Sequence, residues 1–209
     1  MKIAKEGNRF VAVAGAAAAG ALLMGWSLLG SFLVLLALAL AAFFRDPDRM
    51  VPDGEGLIVA PADGKVVSIV NFKDALPMPD ASTRISIFLS PLDVHINRMP
   101  VTGTIEEVQY QRGTFMAAYR DEASAQNEQN ALKIIAREGQ RCAVVQIAGV
   151  LARRIVCYAK RGDKLNRGDR FGLIMFGSRT DTYLPAGCRV EVEEGQRVKG
   201  GETILGRFV

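Results

Sequence analysis

The segment Val192-Glu193-Glu194-Gly195-Gln196-Arg197-Val198-Lys199-Gly200-Gly201-Glu202-Thr203-Ile204-Leu205 has glycines at 195, 200 and 201, with one apolar residue, Val198, between them. Glycine adopts the backbone conformations that sharp corners need, so this spacing predicts short strands joined at tight turns, with Val198 facing a core. A similar spacing recurs in Arg161-Gly162-Asp163-Lys164-Leu165-Asn166-Arg167-Gly168-Asp169. Ala60-Pro61-Ala62-Asp63-Gly64-Lys65-Val66 reads as strand, turn and strand. Further out, short apolar runs with β-branched residues lie at 57–60, 66–70, 84–89, 104–110, 132–136, 142–148, 154–159, 171–176, 189–192 and 203–209, separated by turn residues. Beyond residue 56 no long stretch has a clean helical stripe, and only 116–127 offers room for a brief helix. The pattern predicts a mainly β domain, barrel or sandwich, with glycine-rich corners.

The N-terminal part follows different rules. The chain has 209 residues, enough for one domain with an appendage. Phe10 to Phe44 contains no charged residue, whereas positions 50–209 carry 21 Lys+Arg against 19 Asp+Glu. A surplus of two positive charges is too small for a nucleic-acid footprint. We therefore expect a hydrophobic anchor at 1–45 and a soluble domain at 46–209. As one helix the uncharged run would be roughly 50 Å long, against a hydrocarbon core of about 30 Å. A turn near Gly25-Trp26-Ser27 or Gly30-Ser31 would make two short helices. Basic residues flank both ends, with Lys2, Lys5 and Arg9 before the run and Arg45 and Arg49 after it. This predicts an α-helical membrane hairpin, through the bilayer or in one leaflet, with both ends in the cytoplasm. A cleavable secretory signal is the weaker reading, because the run far exceeds an apolar region of about 7–15 residues. Asp46-Pro47 ends the helix, since the residue before a proline avoids the helical conformation.

The single histidine, His95, excludes a His-rich metal site. Cys142, Cys157 and Cys188 are an odd set without C-x-x-C, which fits a reducing compartment and small core residues. In Leu173-Ile174-Met175-Phe176-Gly177-Ser178-Arg179-Thr180-Asp181 an apolar strand stops at a glycine and a serine. Gly177 leaves its carbonyl sterically open, so the Ser178 hydroxyl can attack it; a bare Gly-Ser is otherwise an ordinary turn. His95 lies in a proline-bounded polar loop, Ser90-Pro91-Leu92-Asp93-Val94-His95-Ile96-Asn97-Arg98-Met99-Pro100, where it would titrate near neutral pH or serve as a structural side chain. Asp63 by itself reads as a hairpin corner. The glycine-cornered segments resemble the barrel-sandwich domains of biotinyl and lipoyl carriers, but no lysine flanked by methionines is present to carry biotin.

Together, Phe44-Arg45-Asp46-Pro47, the Asp63 turn, the segment from Leu89 to Pro100, Gly149 to Ile155, and Arg170-Phe171-Gly172-Leu173-Ile174-Met175-Phe176-Gly177-Ser178-Arg179 closely resemble the short bacterial and archaeal form of phosphatidylserine decarboxylase. The resemblance runs from about Arg45 to the C-terminus, in the family's order. It implies decarboxylation of phosphatidylserine to phosphatidylethanolamine and CO2, a step of phospholipid biosynthesis. It also implies autocatalytic cleavage at Gly177-Ser178 into a large chain, 1–177, and a small chain, 178–209. By analogy the Ser178 hydroxyl attacks the Gly177 carbonyl, and Ser178 ends as a pyruvoyl group. That ketone forms a Schiff base with the substrate amine and acts as the electron sink, with no metal and no pyridoxal phosphate. The implied partners are phosphatidylserine in the membrane and the chain's own second fragment, with homo-oligomers left open and no nucleic acid. The implied location is the cell (inner) membrane, catalytic domain on the cytoplasmic side.

Longer family members carry a second histidine three residues after the first, acting with an Asp and the Ser in cleavage. Here His95 takes the first position and Arg98 the second, while the Asp matches Asp63. An arginine stays protonated and is a poor base, but its forked guanidinium suits a phosphate or carboxylate, making Arg98 a substrate-binding candidate. Two other readings compete. A membrane-tethered barrel-sandwich adaptor without enzymatic activity explains the anchor and the turns, but not the joint presence of the Asp63, His95 and Ser178 motifs. A membrane serine hydrolase would use Ser178 and His95 with an Asp orienting the imidazole, but lacks a G-x-S-x-G elbow.

Overall fold

The computed structural model describes residues 2–71, 78, 80–116, 123–136, 139–149, 154–175 and 178–209. It divides into two compact units, residues 1–48 and 49–209.

In the first unit, helices α1 (Lys5–Leu23) and α2 (Ser27–Phe43) form an antiparallel pair, turning at Gly25 with φ +81°. Their contact is made of small residues. Ala14, Ala18 and Ala21 of α1 are buried, and a side chain at Gly30 would collide with Leu22. Short strands β1 (Lys2–Ile3) and β2 (Arg45–Asp46) pair across the open end, and Phe10 stacks on Phe44 at 5.8 Å. The two basic ends therefore meet, as a hairpin requires. The bilayer-crossing form of that expectation is corrected by helix length: no described helix is long and apolar enough to cross a membrane. The 17 residues of α2 reach only about 26 Å at 1.5 Å per residue. The charge-free run is broken into two helices by the turn at 24–26, so neither inherits its full length.

The second unit is mainly β, as the short β-branched runs require. Its strands are β3 (Leu57–Val59), β4 (Gly64–Asn71), β5 (Ala81–Leu89), β6 (Ile96–Arg98), β7 (Gly103–Gln111), β8 (Gln129–Ala136), β9 (Arg141–Ile147), β10 (Ile155–Cys157), β11 (Lys164–Leu165), β12 (Arg170–Ile174), β13 (Ser178–Pro185), β14 (Arg189–Val190), β15 (Arg197–Val198) and β16 (Ile204–Arg207). An eight-stranded antiparallel sheet runs in the order β11-β7-β8-β9-β13-β5-β4-β15. Two three-stranded sheets, β10-β12-β6 and β14-β16-β3, accompany it. One core joins all three: Ile85, Ile87, Leu132 and Val144 of the large sheet pack with Phe171 of β12 and with Ile58 and Leu205 of β3 and β16. Val198, the expected core residue of the glycine-cornered segment, is part of it.

Two expectations change. The brief helix sought within 116–127 is only α3 (Ala123–Gln126), with 117–122 outside the described residues. The polar stretch from Ser178, absent from the expected strand runs, is the strand β13, bonded on both sides in the large sheet, to β5 and β9.

Candidate active site

β13 is polar in sequence yet fully buried from Ser178 to Thr182. Its period-two alternation gives the reason. Ser178, Thr180 and Thr182 share a face with Leu184, which lies in the main core. Arg179 and Asp181 point to the other face and satisfy each other. Arg179 Nε donates to Asp181 Oδ1 at 2.6 Å, and its Nη2 donates to Asp181 Oδ2 at 3.1 Å and Ser86 Oγ at 2.7 Å. Ser124 Oγ donates to Asp181 Oδ2 at 2.7 Å. Ser178 Oγ, in contrast, is buried with no hydrogen-bond partner among the described residues. It shares this with Thr180 Oγ1 and Thr182 Oγ1 on the same face, and leaving a buried hydroxyl unsatisfied costs about 1–3 kcal/mol. Gly177, its proposed cleavage neighbour, lies outside the described residues, as does Phe176.

His95 stands at the head of β6 and is 2% exposed. Its Nδ1 lies 2.9 Å from the Asp93 carbonyl oxygen. A carbonyl can only accept, so Nδ1 carries a proton and Nε2 is the basic nitrogen of the neutral ring. The Asp93 carboxylate is engaged elsewhere, accepting the Ser90 N–H at 2.8 Å and pairing with Arg197. The imidazole Nδ1 thus meets the Asp93 backbone carbonyl, and the Asp93 carboxylate does not serve as the third member that a serine hydrolase would need.

Sheet register brings His95 toward Ser178. Ser178 sits opposite Leu89, the last residue of β5, and residues 90–94 lead from there to His95. On the other side the Ile174 N–H donates to the His95 carbonyl at 3.3 Å, and Ser178 follows four residues later. Four extended residues reach at most roughly 14 Å between Cα atoms. His95 and Ser178 therefore lie in the same part of the domain.

Asp63 belongs to the turn before β4. Lys65 is opposite Phe88, so the register carries Gly64 beside Leu89, which is itself beside Ser178. Gly64 and Ser178 are thus two strand spacings apart, roughly 10 Å. Both carboxylate oxygens of Asp63 accept from Arg49 Nη2, at 2.9 and 2.7 Å, and Oδ1 also accepts the Gly200 N–H at 2.8 Å. The pair is nearly closed to solvent, with side chains 7% and 15% exposed. Asp63 is therefore held by Arg49 and the glycine corner, and makes no hydrogen bond to His95 or Ser178. Arg98, 5% exposed, joins the same corner. Its N–H donates to the Pro61 carbonyl and its Nη1 to the Gly168 carbonyl at 3.0 Å, and its Cδ lies against Gly201.

The cysteines are poor nucleophiles here. Burial pushes the Cys142 thiol up to about 12 and Cys188 to about 11, and raises Cys157 against the opposing hydrogen bonds of Ala159 and Asn130. The sequence reading missed Arg49 as the partner of Asp63, and the buried amides Asn97 and Gln146. The one available signal was Gln146 itself, a polar residue inside the apolar run Cys142-Ala143-Val144-Val145-Gln146-Ile147.

The family model for phosphatidylserine decarboxylase matches residues 36–206. A phosphatidylserine decarboxylase proenzyme of Geotalea uraniireducens is 44% identical over 204 residues, covering 98% of this chain and 95% of the relative. Its counterpart from Ruegeria pomeroyi is 49% identical over 205 residues, covering 96% and 92%. That of Granulibacter bethesdensis is 52% identical over 169 residues, covering 78% and 68%. On this breadth of match, the chain belongs to the phosphatidylserine decarboxylase family.

Proposed function

We propose that the chain is a proenzyme that cuts itself at Gly177-Ser178 and then decarboxylates phosphatidylserine to phosphatidylethanolamine and CO2. The observation that carries the reading is the buried, unpartnered Ser178 hydroxyl at the head of β13, at a corner shared with a histidine whose basic nitrogen is Nε2. Family membership supplies the substrate class, and the relatives' designation as proenzymes supports processing into two chains that stay together.

In maturation, the Ser178 Oγ adds to the Gly177 carbonyl carbon and the peptide C–N bond breaks, leaving an ester and a free amine on residue 178. Loss of the Ser178 α-proton expels the Gly177 carboxylate. Water then replaces the nitrogen as ammonia, so residue 178 becomes a pyruvoyl group. His95 Nε2 is the candidate base, with Asp63 as the acidic candidate inherited from the family pattern. The Asp63–Arg49 ion pair supports a role for Asp63 in holding the corner's shape. The Ser178 hydroxyl oxygen leaves with the Gly177 carboxylate and the ketone oxygen comes from water, so the conversion surrenders no hydrogen bond within the described residues. Once formed, that ketone supplies the electron sink a decarboxylation needs. During turnover His95 Nε2–H delivers the proton that replaces CO2, and Arg98 is the candidate for the substrate's anionic groups.

We also propose that the helix pair rests in one leaflet, on the cytoplasmic side of the cell membrane. Its apolar side chains support this, with Leu23 90%, Leu28 88%, Leu35 66% and Phe32 62% exposed. The core shared by the three sheets supports a barrel-sandwich reading of the domain.

Intact mass and a denaturing gel test the reading. Wild-type protein should separate into two chains, the smaller of 32 residues and blocked to amine-directed sequencing. Ser178→Ala should stay uncut, folded and inactive. Two fragments from Ser178→Ala, or activity in the uncut chain, would sink the assignment.

A further inference from the structure

His95 and Ser178 belong to different sheets: His95 heads β6 of the β10-β12-β6 sheet, and Ser178 heads β13 of the eight-stranded sheet. Besides the chain connections, the Gln146 side chain bridges these sheets close to both residues. Gln146, on β9, is fully buried and lies opposite Thr180, on the same face as Ser178 and two residues along. Its Nε2 donates to Asn97 Oδ1 on β6 at 2.8 Å and to the Val156 carbonyl on β10 at 3.3 Å. Its Oε1 accepts from Asn130 Nδ2 on β8 at 3.0 Å. Asn97 is two residues from His95, just as Thr180 is two residues from Ser178.

The backbone accommodates this amide. Gln146 crosses over β12 at Gly172, where an added Cβ would lie 2.8 Å from Nε2 and 2.2 Å from the Val156 oxygen. Any side chain at 172 would push the bridge out. Packing alone does not require a glutamine, because leucine fills a similar volume, although it leaves the partners Asn97, Asn130 and Val156 to be satisfied elsewhere. A leucine, however, can slide against its neighbours, whereas an amide with both donor directions and its acceptor engaged fixes one register. The bridge ends in polar groups without partners among the described residues: Asn97 Nδ2, Thr180 Oγ1 and Ser178 Oγ.

We propose that Gln146 is a positioning residue that locks the sheet carrying His95 over the strand carrying Ser178, and so sets the approach of the imidazole to residue 178. This deepens the proposed function and rests on the roles given there to His95 and Ser178. The same lock serves self-cleavage and the later proton delivery, because both need His95 at one distance from one backbone position.

The test compares full-length wild type, Gln146→Leu, Asn97→Leu and the double variant in detergent micelles with phosphatidylserine. Cleavage time courses, melting temperature, and kcat and KM of the cut fraction are measured. A misplacement of about 1 Å can cost up to 10²-fold. Gln146→Leu should cut about 10-fold more slowly, and its cut fraction should show kcat down about 10-fold with KM within about twofold. The double variant, which leaves neither member of the Gln146–Asn97 bond unpaired but still strands Asn130 Nδ2 and the Val156 carbonyl, should recover part of the melting temperature without recovering either rate. Cleavage and kcat within twofold of wild type in a folded Gln146→Leu would overturn the proposal, as would rates recovered together with stability in the double variant. If Gln146→Leu does not fold, Asn97→Leu is judged by the same criteria. A wild type that neither cuts nor decarboxylates overturns the proposed function itself and is recognised before any variant is compared.

Discussion

Replacing Asp181 by alanine removes the carboxylate that neutralises Arg179, the residue next to Ser178. Both side chains are 0% exposed and joined by bonds of 2.6 and 3.1 Å, and Arg84 Nε approaches the same carboxylate at 4.0 Å. Removing one partner of a buried ion pair costs about 3–5 kcal/mol, because the remaining charge stays in a medium that does not solvate it. For a domain of about 160 residues each kcal/mol moves Tm by roughly 2–4 °C, so the expected fall is roughly 6–20 °C. The melt should be followed by circular dichroism in a Ser178→Ala background, which keeps the chain uncut and unfolding close to two-state. Replacing both Arg179 and Asp181 by leucine should restore most of the loss, since an apolar pair carries no desolvation cost. A fall of less than about 3 °C for Asp181→Ala would show that Arg179 finds compensation elsewhere, and the account of a polar strand held in an apolar sheet would fail.

Two further outcomes follow from the same geometry. His95→Ala should lower decarboxylation by about 10²–10⁴-fold, as expected for loss of a positioned acid. Comparing its cleavage time course with its turnover separates the two roles, and wild-type rates for both across pH 5–8 would make His95 structural. Deleting residues 1–44 should leave a self-cleaving domain whose turnover on phosphatidylserine vesicles falls well below that of the full chain, while turnover on dispersed short-chain substrate is preserved; equal vesicle turnover would show that the helix pair does not hold the enzyme at its substrate.

Short-range patterns were legible from the sequence. The β-branched runs and glycine corners predicted nearly every strand of the large sheet, because alternation and turn geometry depend on neighbours a few residues apart. Ser178, His95 and Asp63 each lie in a compact motif, but singly they read as a turn, a loop side chain and a hairpin corner, and only the family resemblance of the motifs together set them apart. β13 was not legible. Ser178-Arg179-Thr180-Asp181-Thr182 reads as polar surface, and it becomes a central strand only because Arg179 and Asp181 neutralise each other with help from Ser86, 93 positions away. The same limit hid the Arg49–Asp63 pair, 14 residues apart, and the Gln146–Asn97 bond, 49 apart. The turn near Gly25, by contrast, was legible, because a glycine there interrupts a run too long for one helix across a bilayer. Sequence alone determined the class of the domain, its family resemblance and the candidate site residues. Tertiary structure decided which of them meet, because sheet register joins positions far apart in the chain, and the stability of a buried charge or amide depends on the partner that register supplies.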